Sequence, residues 1–118
     1  MGFFSFAKTD RILKRSEFLR ISNLGKKLSD KYFIAIFCQG KLNRTRLGIT
    51  VTKKVGRAVT RNRIKRFVRE YFRLNRQNIK GIWDINIIAK KEATNITSDK
   101  TYSSLQSIFK RISRSIDH

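Results

Sequence analysis

The stretch from residue 57 to residue 73 sets the tightest limit on how this chain can fold. Seven of its seventeen residues are Arg or Lys, yet the apolar ones keep a helical spacing. Ile64, Phe67, Val68, Tyr71 and Phe72 recur at i, i+3, i+4, i+7 and i+8, the stripe of an amphipathic helix that covers a core. At about 100° per residue, Asn62, Arg66, Arg69 and Arg73 gather on the opposite side, with Arg63 and Lys65 at its edges. Like charges one turn apart repel, at about 0.2–0.5 kcal/mol per pair in an isolated helix. A face built this way makes sense when a polyanion neutralises it, and nucleic acid is the polyanion this density favours.

The rest of the chain reads as a folded body and not as a basic tail. Its 118 residues suit one domain, residues 1–118, which would bury roughly two thirds of the surface the unfolded chain exposes. Hydrophobic residues make up 40%, nine of them Phe, so an ordinary core is available. Against 28 Lys and Arg stand 8 Asp and Glu, a net charge of +20. The excess is spread along the whole sequence, so the folded body itself must carry basic faces. The single cysteine, Cys38, excludes an internal disulfide and a Cys-based zinc site. Inside an apolar run it reads as a small buried hydrophobe in a reducing compartment, with no disulfide-linked partner expected. Residues 1–6 are apolar but too short for a signal peptide, and Phe6 breaks the myristoylation pattern. No run approaches the roughly 18 apolar residues of a membrane span. A soluble, cytoplasmic protein without a membrane partner is expected.

Along the chain, residues 16–25 are expected to form a short helix, with Ser16 as N-cap, Glu17 in the first turn and Gly25 as the stop. Residues 32–38 read as a strand apolar on both faces, and so buried on both. After a polar turn over 39–45, residues 46–54 alternate. Leu47, Ile49 and Val51 point to a core, while Gly48, Thr50 and Thr52 form an open, small-polar face. The turn Lys53-Lys54-Val55-Gly56 leads into the basic helix. A strand over 82–90 and a helix over 97–116 follow, the latter with Tyr102, Leu105, Ile108, Phe109 and Ile112 on one face. Asp99 complements the dipole at that helix's start. The order is α-β-β-α-β-α, and the two strands flanking the basic helix should be parallel if they share a sheet.

No catalytic constellation emerges. The one histidine, His118, is the last residue, and the eight acids are scattered singly, where a two-metal nuclease clusters carboxylates. Trp83 reads as core, and Glu70 as an i,i+4 partner of Arg66 or a helix-surface charge. A structured-RNA-binding protein of ribosomal type would share the charge. A membrane-surface protein would need a free apolar helix face, and the stripe from Ile64 to Phe72 is required to cover the sheet.

The segment 46–69 resembles the bacterial ribonuclease P protein subunit. The match runs through Arg46-Leu47-Gly48-Ile49-Thr50-Val51-Thr52-Lys53-Lys54-Val55-Gly56, then Ala58-Val59, then Arg61-Asn62-Arg63-Ile64-Lys65-Arg66-Phe67-Val68-Arg69-Glu70. Element order and length agree over essentially the whole chain, from Phe6-Ala7-Lys8-Thr9-Asp10 onward. The resemblance implies an α+β fold, a small two-layer α/β sandwich with a mixed sheet. It also implies a left-handed βαβ crossover, although about 98% of such crossovers are right-handed. It further implies a basic protein that assists a catalytic RNA in removing 5′ leaders from precursor tRNA. On this basis Lys53, Lys54, Arg57, Arg61, Asn62, Arg63, Lys65, Arg66 and Arg69 would contact the ribonuclease P RNA. Phe18 and Phe33 would line a cleft for the single-stranded leader, and Ser22 stands where many members carry a second aromatic residue. No cofactor or metal would be bound by the protein alone, since the Mg2+ required belongs to the RNA.

Overall fold

Residues 10–115 are described by the computed structural model; the expectations for residues 1–9 and 116–118, including His118 and the opening Phe6-Ala7-Lys8-Thr9, lie outside them. The elements are α1 (Arg15–Leu24), β1 (Lys26–Ser29), β2 (Phe33–Gln39), β3 (Arg46–Thr50), α2 (Ala58–Asn75), β4 (Trp83–Ala89) and α3 (Ser98–Arg114). Short 3-10 turns follow α2 and β4. The sheet is four-stranded in the order β1-β2-β4-β3, with β3 and β4 parallel and the other pairs antiparallel.

Register decides what each face of the sheet carries. Phe33, Ala35 and Phe37 pair with Ala89, Ile87 and Ile85, and Leu47 and Ile49 continue that row on β3. Onto this row pack Ile64, Val68, Tyr71 and Phe72 of α2, with Leu105, Ile108, Phe109 and Ile112 of α3. The helical stripes read from the sequence are therefore the stripes that build the core. Tyr71 meets Phe109 and Tyr102 with ring centroids 5.4 and 5.5 Å apart, which locks α2 against α3. Thr97 caps α3, its hydroxyl accepting from the Lys100 N–H at 3.2 Å.

The other face lies under α1, and several expectations change there. The edge strand β1 is absent from the sequence reading: Lys26-Lys27-Leu28-Ser29 has one apolar residue and shows no periodicity. It forms because β2 offers it an edge to pair with. The cap of α1 is Lys14, with no side-chain hydrogen bond, and not Ser16. Gly25 does end the helix, with its N–H bonded to the Ile21 carbonyl at 2.8 Å. A Cβ there would stand 2.4 Å from that carbonyl oxygen, so close approach and not left-handed backbone requires glycine.

β2 is buried on the core face and half-buried on the other, where Ile34, Ile36 and Cys38 sit beneath a helix whose one fully buried residue is Ile21. Nor is the second face of β3 open. Arg46 and Gly48 are buried, because ion pairs and the Phe18 ring cover them.

Candidate nucleic-acid interface

An ion network fixes α1 on the sheet. Asp84, fully buried on β4, accepts from the Arg46 Nε and Nη2 atoms at 3.0 and 2.9 Å, from Arg20, and from the Lys41 backbone N–H at 3.3 Å. Arg20 also reaches Glu17 at 3.2 Å and the Cys38 sulfur at 3.4 Å. Burial pushes the Glu17 carboxyl up, but its bond to Arg20 and the charges of Arg46, Lys41 and Arg20 outweigh this and hold it below its ordinary value. Burial likewise raises the Cys38 thiol. The network orients α1 so that Phe18 lies on Gly48; a Cβ at Gly48 would stand 2.5 Å from the Phe18 ring. The sequence reading missed this network. Its signal was a lone acid, Asp84, inside an otherwise apolar strand.

β3 is the edge strand, so α1 on one face and α2 on the other meet around its side. There Phe18, Leu13 and Ile49 share a groove of about 220 Å³ with Lys65 and Arg69 of α2. An aromatic ring and two cations thus converge from opposite layers of the fold, the pairing that grips single-stranded nucleic acid by base stacking and phosphate contact. Phe33 is not part of it. It is fully buried on the α2/α3 face, the opposite side of the sheet from Phe18. Alternation along β2 puts Phe33 on the core row, and a strand apolar on both faces gave no sign of which row was which. Ser22 is exposed on α1.

The start of α2 is a second electropositive feature. Its N-cap is Arg57, no side chain caps it, and its first turn holds no acid. The free N–H groups and the positive end of the dipole face a turn carrying exposed Lys53 and Lys54. Arg61 is half-buried with its Nε atom lacking a hydrogen-bond partner, while Asn62, Arg66 and Arg69 are exposed.

Arg63 is placed differently. Its Nη2 donates to the Thr94 carbonyl at 2.7 Å and its Nη1 to the Ile96 carbonyl at 3.3 Å, and its guanidinium lies 5.7 Å from the Phe67 ring centre. It ties α2 to the segment before α3 and leaves only part of the guanidinium for a partner. Arg63→Ala is therefore expected to lower stability by about 1.5–3 kcal/mol in urea melts, whereas Arg61→Ala stays within about 0.5 kcal/mol. Equal losses would show that Arg63 is no tie. Glu70 pairs with Arg73 and not, as the spacing suggested, with Arg66. Its bond to Arg73 lowers its pKa.

The family model described as Ribonuclease P matches residues 6–113. The chain belongs to the ribonuclease P protein family. The "Ribonuclease P protein component" of Desulforapulum autotrophicum is 50% identical over 115 residues, 98% of each chain. That of Desulfatibacillum aliphaticivorans is 50% identical over 118 residues, the whole of both. Among solved structures, the RNase P protein of Staphylococcus aureus superimposes with a TM-score of 0.81 at 36% identity, covering 87% of this chain and 94% of that one. The Thermotoga maritima RNase P protein gives 0.80 at 36%, covering 86% and 96%. The α+β sandwich expected from the resemblance is the fold of these proteins. The function is that of the tRNA-processing endoribonuclease subunit.

Proposed function

We propose that this protein assists a catalytic RNA and performs no bond cleavage itself. The outer side of α2 and its N-terminus, with Lys53, Lys54, Arg57, Arg61, Asn62 and Arg66, bind the ribonuclease P RNA; Arg63 braces that surface and adds charge, and Lys65 and Arg69, expected on the same RNA, turn instead into the groove. The groove at the β3 edge takes the 5′ leader of precursor tRNA, with Phe18 stacking a base at roughly 1–3 kcal/mol and Lys65 and Arg69 neutralising its phosphates. The observation that carries this reading is the convergence of Phe18 with Lys65 and Arg69 in one groove.

The magnesium chemistry is assigned to the RNA. In support, the acids most buried in the fold already serve it. Asp84 holds Arg46 and Arg20, Asp10 holds Arg44 and Arg76, and Asp30 accepts from Ser104 and from the Tyr32 and Phe33 N–H groups. Among the described residues no three His, Cys, Asp or Glu side chains come together as metal ligands. No described helix is long and apolar enough to cross a membrane. The free thiol of Cys38 suits a cytoplasmic location.

The test is cleavage of a leader-bearing precursor tRNA by a bacterial ribonuclease P RNA at low magnesium, with and without the protein. Strong stimulation by a protein that is inactive alone is the expected result. Cleavage by the protein alone, or no stimulation despite tight RNA binding, would overturn the assignment.

A further inference from the structure

Away from the β3 groove, a cavity of about 460 Å³ opens between the C-terminal end of α2, the 76–80 segment and α3. Its size falls within the range of small-molecule sites, about 300–1,000 Å³. Tyr71 and Phe109, both at least 94% buried, form its floor. Among the described residues no protein group hydrogen-bonds the Tyr71 hydroxyl, and the atom is open to solvent, so it can donate to water or to a bound molecule. Burial pushes its pKa up to about 12, so it remains a neutral donor.

Three side-chain amides line the same cavity. Asn75 uses its amide nitrogen on the Tyr71 carbonyl at 2.9 Å and keeps its oxygen as an acceptor, while Asn78 and Gln106 are exposed at the rim. Lys80, Lys110 and Arg114 complete the rim, and among the described residues no carboxylate lines it. Amides offer paired donors and acceptors for a base edge, a phenol adds a donor, and the cations suit phosphate.

We propose that this cavity binds a single unpaired RNA nucleotide, a contact separate from the N-terminal half of α2 and from the β3 groove. It rests on the RNA partnership inferred above, and the nucleotide comes either from the ribonuclease P RNA or from the precursor tRNA.

Photo-crosslinking of the assembled protein–RNA complex tests this, with 4-thiouridine in the catalytic RNA in one sample and in the precursor tRNA in the other. Mapped peptides are expected to carry adducts near Asn78–Lys80 and Gln106–Lys110 from one of the two RNAs, in addition to adducts around Arg66; the labelled RNA that reacts identifies the source. Adducts confined to the N-terminal half of α2 and the groove overturn the cavity site and leave the RNA partnership standing. Adducts nowhere overturn both. In parallel, Lys110→Glu with Arg114→Glu alters two exposed side chains. Affinity for the RNA is expected to drop about tenfold, with an unchanged melting curve and a salt slope smaller by about two. Unchanged affinity removes the site.

Discussion

Replacing Asp84 by Ala is expected to destabilise the protein by about 3–5 kcal/mol, the usual cost of stranding a buried charge. Arg46, only 8% exposed, would lose both bonds to its carboxylate, and Arg20 would keep only its contact with the Cys38 sulfur as a tie to the sheet. Against a typical domain stability of about 5–15 kcal/mol, such a loss is large. Urea denaturation reads it directly. Asp84→Ala combined with Arg46→Met should recover part of the loss, since an apolar pair can replace a buried ion pair at little cost. Because α1 buries Ile21 alone, the single variant should also let Phe18 drift and weaken leader binding. A loss below about 1 kcal/mol would mean that packing, and not the network, holds α1 in place.

The second large effect belongs to the groove. Lys65→Ala with Arg69→Ala is expected to reduce affinity for leader-bearing precursor tRNA in the assembled complex by about 10–100-fold, and to lower the salt slope of log K by about two. Neither side chain supports the core, so the melting curve should hold. The matched control is Lys26→Ala with Lys27→Ala, which removes the same charge from the far edge of the sheet. Were the two pairs to weaken binding equally, the net charge of the chain and not the groove would account for the effect.

How much of this was legible in the sequence depended on periodicity. Where one face of an element alternates sharply with the other, as in α2 and α3, the residues that pack are the ones the spacing marked, from Ile64 to Phe72 and from Leu105 to Ile112. Where both faces of a strand are apolar, spacing says nothing about orientation, so nothing in β2 could check the cleft position that the resemblance implied for Phe33, which lies on the core row. The β1 strand escaped because an edge strand needs a partner more than a pattern. The parallel pairing of β3 and β4 followed from the βαβ order. What spacing could not supply was the meeting of Phe18 with Lys65 across the edge of the sheet: they are 47 positions apart and sit on different layers. Arg63 looked like one more cation on a basic face, and its carbonyl partners 31 and 33 residues away carry no signature of that role.

The two margins of the sheet differ in a way that bears on behaviour in concentrated solution. At one margin, β1 is four residues long and carries exposed Lys26 and Lys27. At the other, the chain ahead of α1 lies beside β3, Arg11 bridging to Leu47 and the Ile12 N–H bonded to the Leu47 carbonyl at 2.9 Å. Unpaired strand margins invite a second copy to add on, and short lysine-bearing strands or a covering segment discourage it. A protein whose task demands a sticky, cationic exterior thus keeps its backbone from becoming sticky too: polyanions find their contacts, while neighbouring copies find no template on which to build a fibre.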